Sequence, residues 1–501
     1  MNQIADKGLP DTAEVHIDGR PYIAGNFIDA TGARIDCRDP ATGAPAASYT
    51  GCSAAEVDLA VEAARKAQQE VWSEFSPGAR KRLLLGLADA IVAQTDALAR
   101  LESLDIGKPI AMASGEVAIA AGFIRYYAEA IDKVVMGEVP ATGSTMTEVQ
   151  HLRPRGVVAA IVPWNFPLIN ACLKAGPALA AGNSCLLKPS DISPRSALLL
   201  AHIATTAGLP AGVLNVVTGG ADTGAALVGH PDVNLVTFTG STATGKRIMQ
   251  HLGSTTLKPM LLECGGKSPE IVFADAATMG MEAIATRIAE GALWNQGQVC
   301  VARTRVLVQQ SVYEEMAAAI TAAAAKIKPG APNDPATRFG PLASAVQYAR
   351  VCSFIDEGVR TGTRVLLDGR QPSGCDGNGF YVGPTVFADV PVESPLAQEE
   401  IFGPVIVLTA FADEAEALAL ANSTPYGLAA TVWTTDGGLG QRMARRIKAG
   451  KVRLISSLAM AEPAGFNHSA EPCDQSGFGV EGGLEGFRSY LRRQSVEHIH
   501  G

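Results

Sequence analysis

Two α/β units, each with helices packed on a mostly parallel sheet, and a small β arm outside both are what the sequence predicts, and three patterns predict them. From Gly156 to Glu263, short apolar runs alternate with amphipathic stretches. Strands buried on both faces read as continuous apolar runs, so a parallel sheet covered by helices is implied. The same alternation resumes after Glu263. Two segments far apart in the chain, Thr145 to Arg153 and Phe487 to Ile499, mix β-formers with polar residues at roughly alternating spacing, as strands paired outside a main core do.

The elements follow in order. Ala54 to Met112 is rich in Ala, Leu, Glu and Arg, with Val57, Val61, Ala64, Leu84, Leu87 and Ile91 at helical spacing, and predicts a helical layer. Strands are predicted at Val157 to Val162, Cys185 to Leu187, Val213 to Val217 and Leu235 to Phe238, with helices near Ser196 to Ala207, Gly220 to Val228 and Thr242 to Leu252. That outline is Rossmann-like, the usual host for a dinucleotide. In the second unit, strands are predicted at Ile271 to Phe273 and Arg305 to Val308, with a helix ending near Trp294 and another through Tyr313 to Ile327. Gly and Pro crowd together in Asp368 to Gly383, which predicts an exposed connecting loop.

Composition narrows the function classes. A chain of 501 residues exceeds what one core organises, and 47% hydrophobic with 18% charged residues is ordinary globular usage. The net charge of -9, without a basic block, argues against nucleic acid as a partner. No apolar run reaches about 18 residues and the first residues lack a signal pattern, so a cytoplasmic protein with no membrane partner is expected. Nine scattered cysteines predict reduced thiols, and with neither CxxC nor HExxH no metal is expected.

Two residues carry the chemical signal. Cys300 ends the run Trp294-Asn295-Gln296-Gly297-Gln298-Val299, a polar, glycine-containing turn after a helix. Backbone N–H groups and nearby cations there are expected to lower the thiol pKa and leave a nucleophilic thiolate. An arbitrary cysteine is more often a small buried hydrophobe. Glu263 precedes Gly265-Gly266, a pair that lets backbone approach a ligand closely, whereas a carboxylate without that context reads as solvated at a strand end. The turn Phe238-Thr239-Gly240-Ser241 joins a strand to a helix whose free N–H groups suit a pyrophosphate, with Ser241 as the phosphate contact.

These residues sit within six motifs: Pro163-Trp164-Asn165-Phe166-Pro167, Lys188-Pro189-Ser190-Asp191, Phe238-Thr239-Gly240-Ser241, Glu263-Cys264-Gly265-Gly266-Lys267-Ser268-Pro269, the Cys300 segment, and Glu399-Glu400-Ile401-Phe402-Gly403-Pro404. In content and order they resemble the aldehyde dehydrogenase superfamily from about residue 20 to residue 450. The resemblance implies NAD(P)-dependent oxidation of an aldehyde, with Cys300 as nucleophile, Glu263 as the base that activates water, and the Asn165 amide with the Cys300 N–H as oxyanion donors. It places Lys188, Asp191, Trp164, Gly240, Ser241, Glu400 and Phe402 against the cofactor, and Phe166, Asn170, Leu173, Trp294, Val299 and Val301 along the substrate tunnel. A carboxylate at Asp191 favours NAD over NADP, NADP remaining possible; the competing reading makes Asp191, Ser190 or Ser193 a helix N-cap.

The implied organisation is a dinucleotide-binding domain of residues 1–144 and 154–262, a catalytic domain of residues 263–473, and oligomerisation strands at 145–153 and 474–501, with a homodimer or homotetramer as the assembly. Glu263 lies 37 positions before Cys300, slightly more than the resembled spacing. The resemblance fails at Lys451 to Ser456 and at Ser469 to Pro472, where both a usual strand and a usual glycine turn are expected to be missing. Glu471, Cys473 and Asp474 then mark either an altered substrate mouth or a re-routed surface loop, the latter favoured. The alternatives are a coenzyme-A-acylating enzyme, which Glu263 argues against, and a binding protein that has lost catalysis.

Overall fold

The computed structural model describes residues 17–134, 136–140, 142–372, 378–459 and 465–500. The first residues and the middle of the Asp368 to Gly383 segment lie outside them. Four helices form the predicted helical layer: α1 (Ala54–Lys66), α2 (Pro77–Ala93), α3 (Thr95–Ile106) and α4 (Ile110–Ala130). α1 starts on a capping box, Ser53 with Glu56, which satisfies end N–H groups that the helix cannot.

The first sheet has eight strands in the spatial order Asn26–Phe27, Tyr22–Ile23, Leu214–Val216, Ser184–Lys188, Val157–Ile161, Leu235–Thr239, Met260–Glu263 and Gly477–Phe478. The five from Leu214–Val216 to Met260–Glu263 run parallel. Strand order reverses between Val157–Ile161 and Leu235–Thr239, and in open α/β sheets a crevice opens at the carboxyl ends of such a pair. Alternation divides the strand residues: Val158 and Ala160 pack with α2 and with α5 (Pro167–Ala180) and α6 (Arg195–Thr206), while Val157 and Ala159 pack with α1, α7 (Ala221–Gly229) and α8 (Thr242–Thr255).

The second sheet has seven strands, ordered Arg364–Leu367, Thr385–Ala388, Val405–Phe411, Arg305–Gln309, Pro269–Val272, Ala429–Trp433 and Lys451–Ile455. All neighbours are parallel except the first pair. Helices α9 (Met281–Leu293) and α10 (Tyr313–Ala325) cover one face through Ile284, Ile288, Met316 and Ile320. A third sheet, of three strands, pairs Met146–Pro154 with Leu491–Ile499 along nine antiparallel partners and takes Gly137–Glu138 on its other side.

Two expectations are corrected. The strand expected to be missing near residue 451 is present: Lys451–Ile455 pairs in parallel with Ala429–Trp433. Val452 and Leu454 still pack inward, which is enough to keep a strand when the polar residues alternate outward. The segment 474–501 is not one unit of arm either. Gly477–Phe478 adds antiparallel to Met260–Glu263, Gly483–Ser489 is a helix, and only Leu491–Ile499 joins the outlying sheet.

Trp433 locks the second sheet: it is 2% exposed and its indole N–H donates to the buried carboxylate of Glu270. Trp433→Ala removes that packing and leaves Glu270 short of a donor, so we expect a loss of about 3–5 kcal/mol in urea unfolding. A loss under about 1 kcal/mol would show that the site collapses around the gap.

Candidate active site

The loop after α9 is built from three consecutive left-handed residues, Asn295 (φ 48°), Gln296 (φ 57°) and Gly297 (φ 68°). Side chains with a Cβ avoid this region, so the loop must be held from outside. The Asn165 amide donates to Gln298 O at 2.9 Å, and the Asn295 amide donates back to Asn165 O at 3.1 Å. The Gln298 side chain accepts from Ala343 N at 3.0 Å. Gly297 is obligatory, because a Cβ there would lie 2.2 Å from Gly403 O. Cys300, half-buried, follows this knot.

The thiol is not poised as expected. Burial pushes Cys300 up to about 12, and the Glu263 and Glu400 carboxylates add to this, while the Val301 N–H donates to the sulfur and pulls the other way. The expected lowering by cations is corrected: the charges facing the sulfur are carboxylates. Burial also holds the Glu263 carboxyl well above the usual range, with Glu481 and Glu471 raising it and Lys174 opposing. Strand Met260–Glu263 delivers Glu263 at its carboxyl end, and Gly477 pairs directly against it.

Lys174 and Glu481 escaped the sequence reading. Lys174 is fully buried on α5, 2.6 Å from Glu481 Oε1 and 3.0 Å from Thr237 Oγ1. A signal existed: a lone lysine in the apolar helix Pro167–Ala180 requires a buried partner. Its partner was invisible because Glu481 is 307 positions away. Glu471 is exposed, accepts from Gly479 N at 3.0 Å and acts on Glu263, so the re-routed turn is a surface loop that still reaches the site electrostatically.

The residues expected along a substrate tunnel divide into two groups. Phe166, Val299 and Val301 form one apolar cluster with Ile169 and Ala302, and Trp294 lies against Phe166 with ring centroids 5.3 Å apart. Asn170 and Leu173 lie further along α5, where the Asn170 amide is spent on Phe166 O at 3.0 Å.

The crevice at the strand-order reversal is a groove of about 590 Å³ lined by Pro163, Trp164, Lys188 to Asp191, Gly220, Gly240, Ser241 and Thr244. Its residues fit a dinucleotide. The Lys188 ammonium is aimed at Gly219 O (2.6 Å) and Pro189 O (3.2 Å), and burial lowers it to about 8. Ser241 caps α8 by accepting from Thr244 N, which sets the helix N–H groups at the groove, and Thr239 Oγ1 is buried without a partner. Pro194 is the N-cap residue of α6, and the Arg195 N–H of the first turn is taken by Asp105 at 3.2 Å, which removes the capping alternative for Asp191, Ser190 and Ser193. Glu400, half-buried and raised to about 7 by desolvation, accepts from Gly266 N at 3.2 Å. Phe402 takes φ 60° and meets Trp164 edge-on at 5.3 Å.

Comparison with known proteins gives a consistent result. The aldehyde dehydrogenase family model matches residues 27–496. The NADP/NAD-dependent aldehyde dehydrogenase PuuC of Escherichia coli (strain K12) is 47% identical over 440 residues, 87% of each chain. An indole-3-acetaldehyde dehydrogenase solved with NAD+ superposes with a TM-score of 0.92 at 40% identity, over 97% of this chain and 98% of that one. A gamma-glutamyl-gamma-aminobutyraldehyde dehydrogenase from Burkholderia cenocepacia J2315 gives 0.91 at 40% identity, over 98% of both.

The electrostatics yield a direct expectation. Glu263, itself raised to about 9, carries its charge only in alkaline solution, so Glu263→Gln is expected to speed up alkylation of Cys300 by iodoacetamide several-fold at about pH 10, where that charge bears on the thiol. An unchanged or slower rate, read by peptide mapping, would mean that Glu263 does not act on the sulfur.

Proposed function

The chain belongs to the aldehyde dehydrogenase family and oxidises aldehydes with NAD(P), and from that premise we propose how its own residues do so. The observation that carries the proposal is the joint hold of Glu263 and Cys300 at one seam, beside an Asn165 amide already fixed to the Cys300 loop.

Cys300 adds through sulfur to the carbonyl carbon, and its proton leaves to solvent water. The carbonyl oxygen becomes anionic and is met by the second N–H of the Asn165 amide and by the Cys300 backbone N–H. Bound NAD(P) would supply the two-electron oxidant for the hydride on the former aldehyde carbon. The carbon is left as an acyl thioester on Cys300. Glu263 then takes a proton from water, hydroxide replaces sulfur at the carbon, and the acid leaves with the thiol restored. Lys174 and Glu481 set the basicity of Glu263, since one lowers and the other raises it. Glu263 also favours water over a coenzyme-A thiol as acyl acceptor.

Lys188, Asp191, Ser241 and the Gly240 turn would hold the adenosine and pyrophosphate end, and Glu400, Phe402 and Trp164 the nicotinamide end. The Asp191 carboxylate, free of any capping duty, supports a preference for NAD. Phe166, Trp294, Val299 and Val301, with Leu173 and Asn170 beyond, suit a carrier larger than acetaldehyde, as do the substrates in the names of the relatives. The first sheet is the dinucleotide-binding unit and the second the catalytic one. The three-stranded sheet, with Val496 and Ile499 exposed on its edge strand, is the oligomerisation element of a homodimer or homotetramer. Among the described residues eight cysteines are free, which supports a cytoplasmic location, and no helix there is long and apolar enough to cross a membrane.

Because Glu263 is raised in the folded protein, its ionised form appears only as pH climbs past the usual carboxylate range, and steady-state turnover should rise with pH above neutrality. Glu481→Gln removes the repulsion and frees Lys174, so it should move that rise to lower pH. Cys300→Ala should abolish NADH production, and Glu263→Gln should leave one burst of NADH per site followed by turnover slowed about 100-fold or more. A Glu263→Gln enzyme with full turnover and the same pH profile would remove Glu263 from the mechanism.

A further inference from the structure

Against the Phe166 ring lies a buried charge cluster that the chemistry above does not use. Lys108 follows the left-handed Gly107 (φ 70°) at the end of α3, where a Cβ on Gly107 would meet Pro341 at 2.5 Å. Its side chain is fully buried. The ammonium lies 3.2 Å from Glu102 Oε2, is bonded to Glu116 Oε2, and sits 4.5 Å from the centroid of the Phe166 ring. Phe166 thus touches both a buried cation and Trp294, the residue that opens the Cys300 loop.

Glu102 reaches the same segment by a second route. Its other oxygen accepts from Leu168 N at 2.6 Å and from Ser196 Oγ at 3.2 Å. Leu168 is in the first turn of α5, and Phe166, its N-cap residue, supplies no capping side chain. Glu102 therefore does from another helix what a local cap does elsewhere, and it fixes the helix end that follows Asn165. Such a cluster is costly to bury and tolerates no loss of a member, because the remaining charge is left uncompensated. Glu116 shows that cost directly: burial raises its carboxyl, Lys108 opposes, and its second oxygen has no partner.

We propose that Lys108 is a positioning residue for the substrate-facing segment Asn165 to Asn170, acting on the Phe166 ring directly and on the first turn of α5 through Glu102. The proposal rests on the functional reading above. It makes the aromatic wall and the oxyanion amide one rigid body with α3 and α4, while leaving the cofactor groove alone. Misplacing reacting groups by about 1 Å is enough to cost about 100-fold in rate.

The test is a double-mutant cycle of Lys108→Met and Phe166→Leu, with kcat and KM for a bulky aldehyde expressed per Cys300 thiol titrated. We expect Lys108→Met to lower kcat/KM about 10- to 100-fold, with NAD affinity within about twofold of the parent and most of the loss recovered in Lys108→Arg. In the Phe166→Leu background the same change should cost much less, since the ring it positions is gone. Equal fold losses in both backgrounds, or a loss that vanishes once active sites are counted, would overturn the proposal. If Lys108→Met does not accumulate as folded protein, Glu116→Gln takes its place in the cycle, with the same two outcomes. A parent enzyme inactive toward every aldehyde would instead sink the functional reading and leave the positioning geometry standing.

Discussion

Everything in the site depends on the strained turn Asn295-Gln296-Gly297 being held in register with Asn165. Two non-glycine residues in the left-handed region cost on the order of 1–3 kcal/mol each, and such a conformation persists only when neighbours over-determine it. Here the neighbours come from both sheets. Asn165 follows a strand of the first, while the loop and Gly403 belong to the second, and they meet through the Asn165, Asn295 and Gln298 hydrogen bonds and the Gly297 contact. Cys300 is placed by that seam, and so is Phe402, whose own positive φ lies beside Gly403.

Around the seam the charge balance is lopsided. Glu263, Glu400, Glu471 and Glu481 act on the site or on each other, and the buried Lys174 is the cation set against Glu263. The resting thiol is held neutral by this arrangement and by burial. Reactivity then requires the thiol to shed its proton as the sulfur attacks, so the first chemical step, like the last, is helped by rising pH. The aromatic wall adds a mechanical constraint, with Phe166 in contact with both the Lys108 ammonium and Trp294.

Much of this was legible in the sequence for definite reasons. The parallel strands are short apolar runs flanked by helical periodicity, and each predicted strand of the first sheet is found within a residue or two, as at Val157–Ile161 and Leu235–Thr239. Lys451–Ile455 was misjudged because basic residues on its outward face hid the inward pair Val452 and Leu454. The thiol's environment was misjudged because backbone and cation effects are local, whereas the carboxylates that face Cys300 come from residues 263, 400 and 481. Lys174 with Glu481, and Lys108 with Phe166, are tertiary pairings that no local spacing encodes.

The central claim is that the aldehyde carbon passes through a covalent bond to the Cys300 sulfur. Intact-protein and peptide mass spectrometry of the Glu263→Gln enzyme, quenched with acid after mixing with NAD and an aldehyde, tests it most directly. The account predicts a mass increase of one acyl group per chain, confined to the peptide carrying Cys300 and absent without NAD. NADH formed with no adduct, or an adduct on another cysteine such as Cys264, would contradict it.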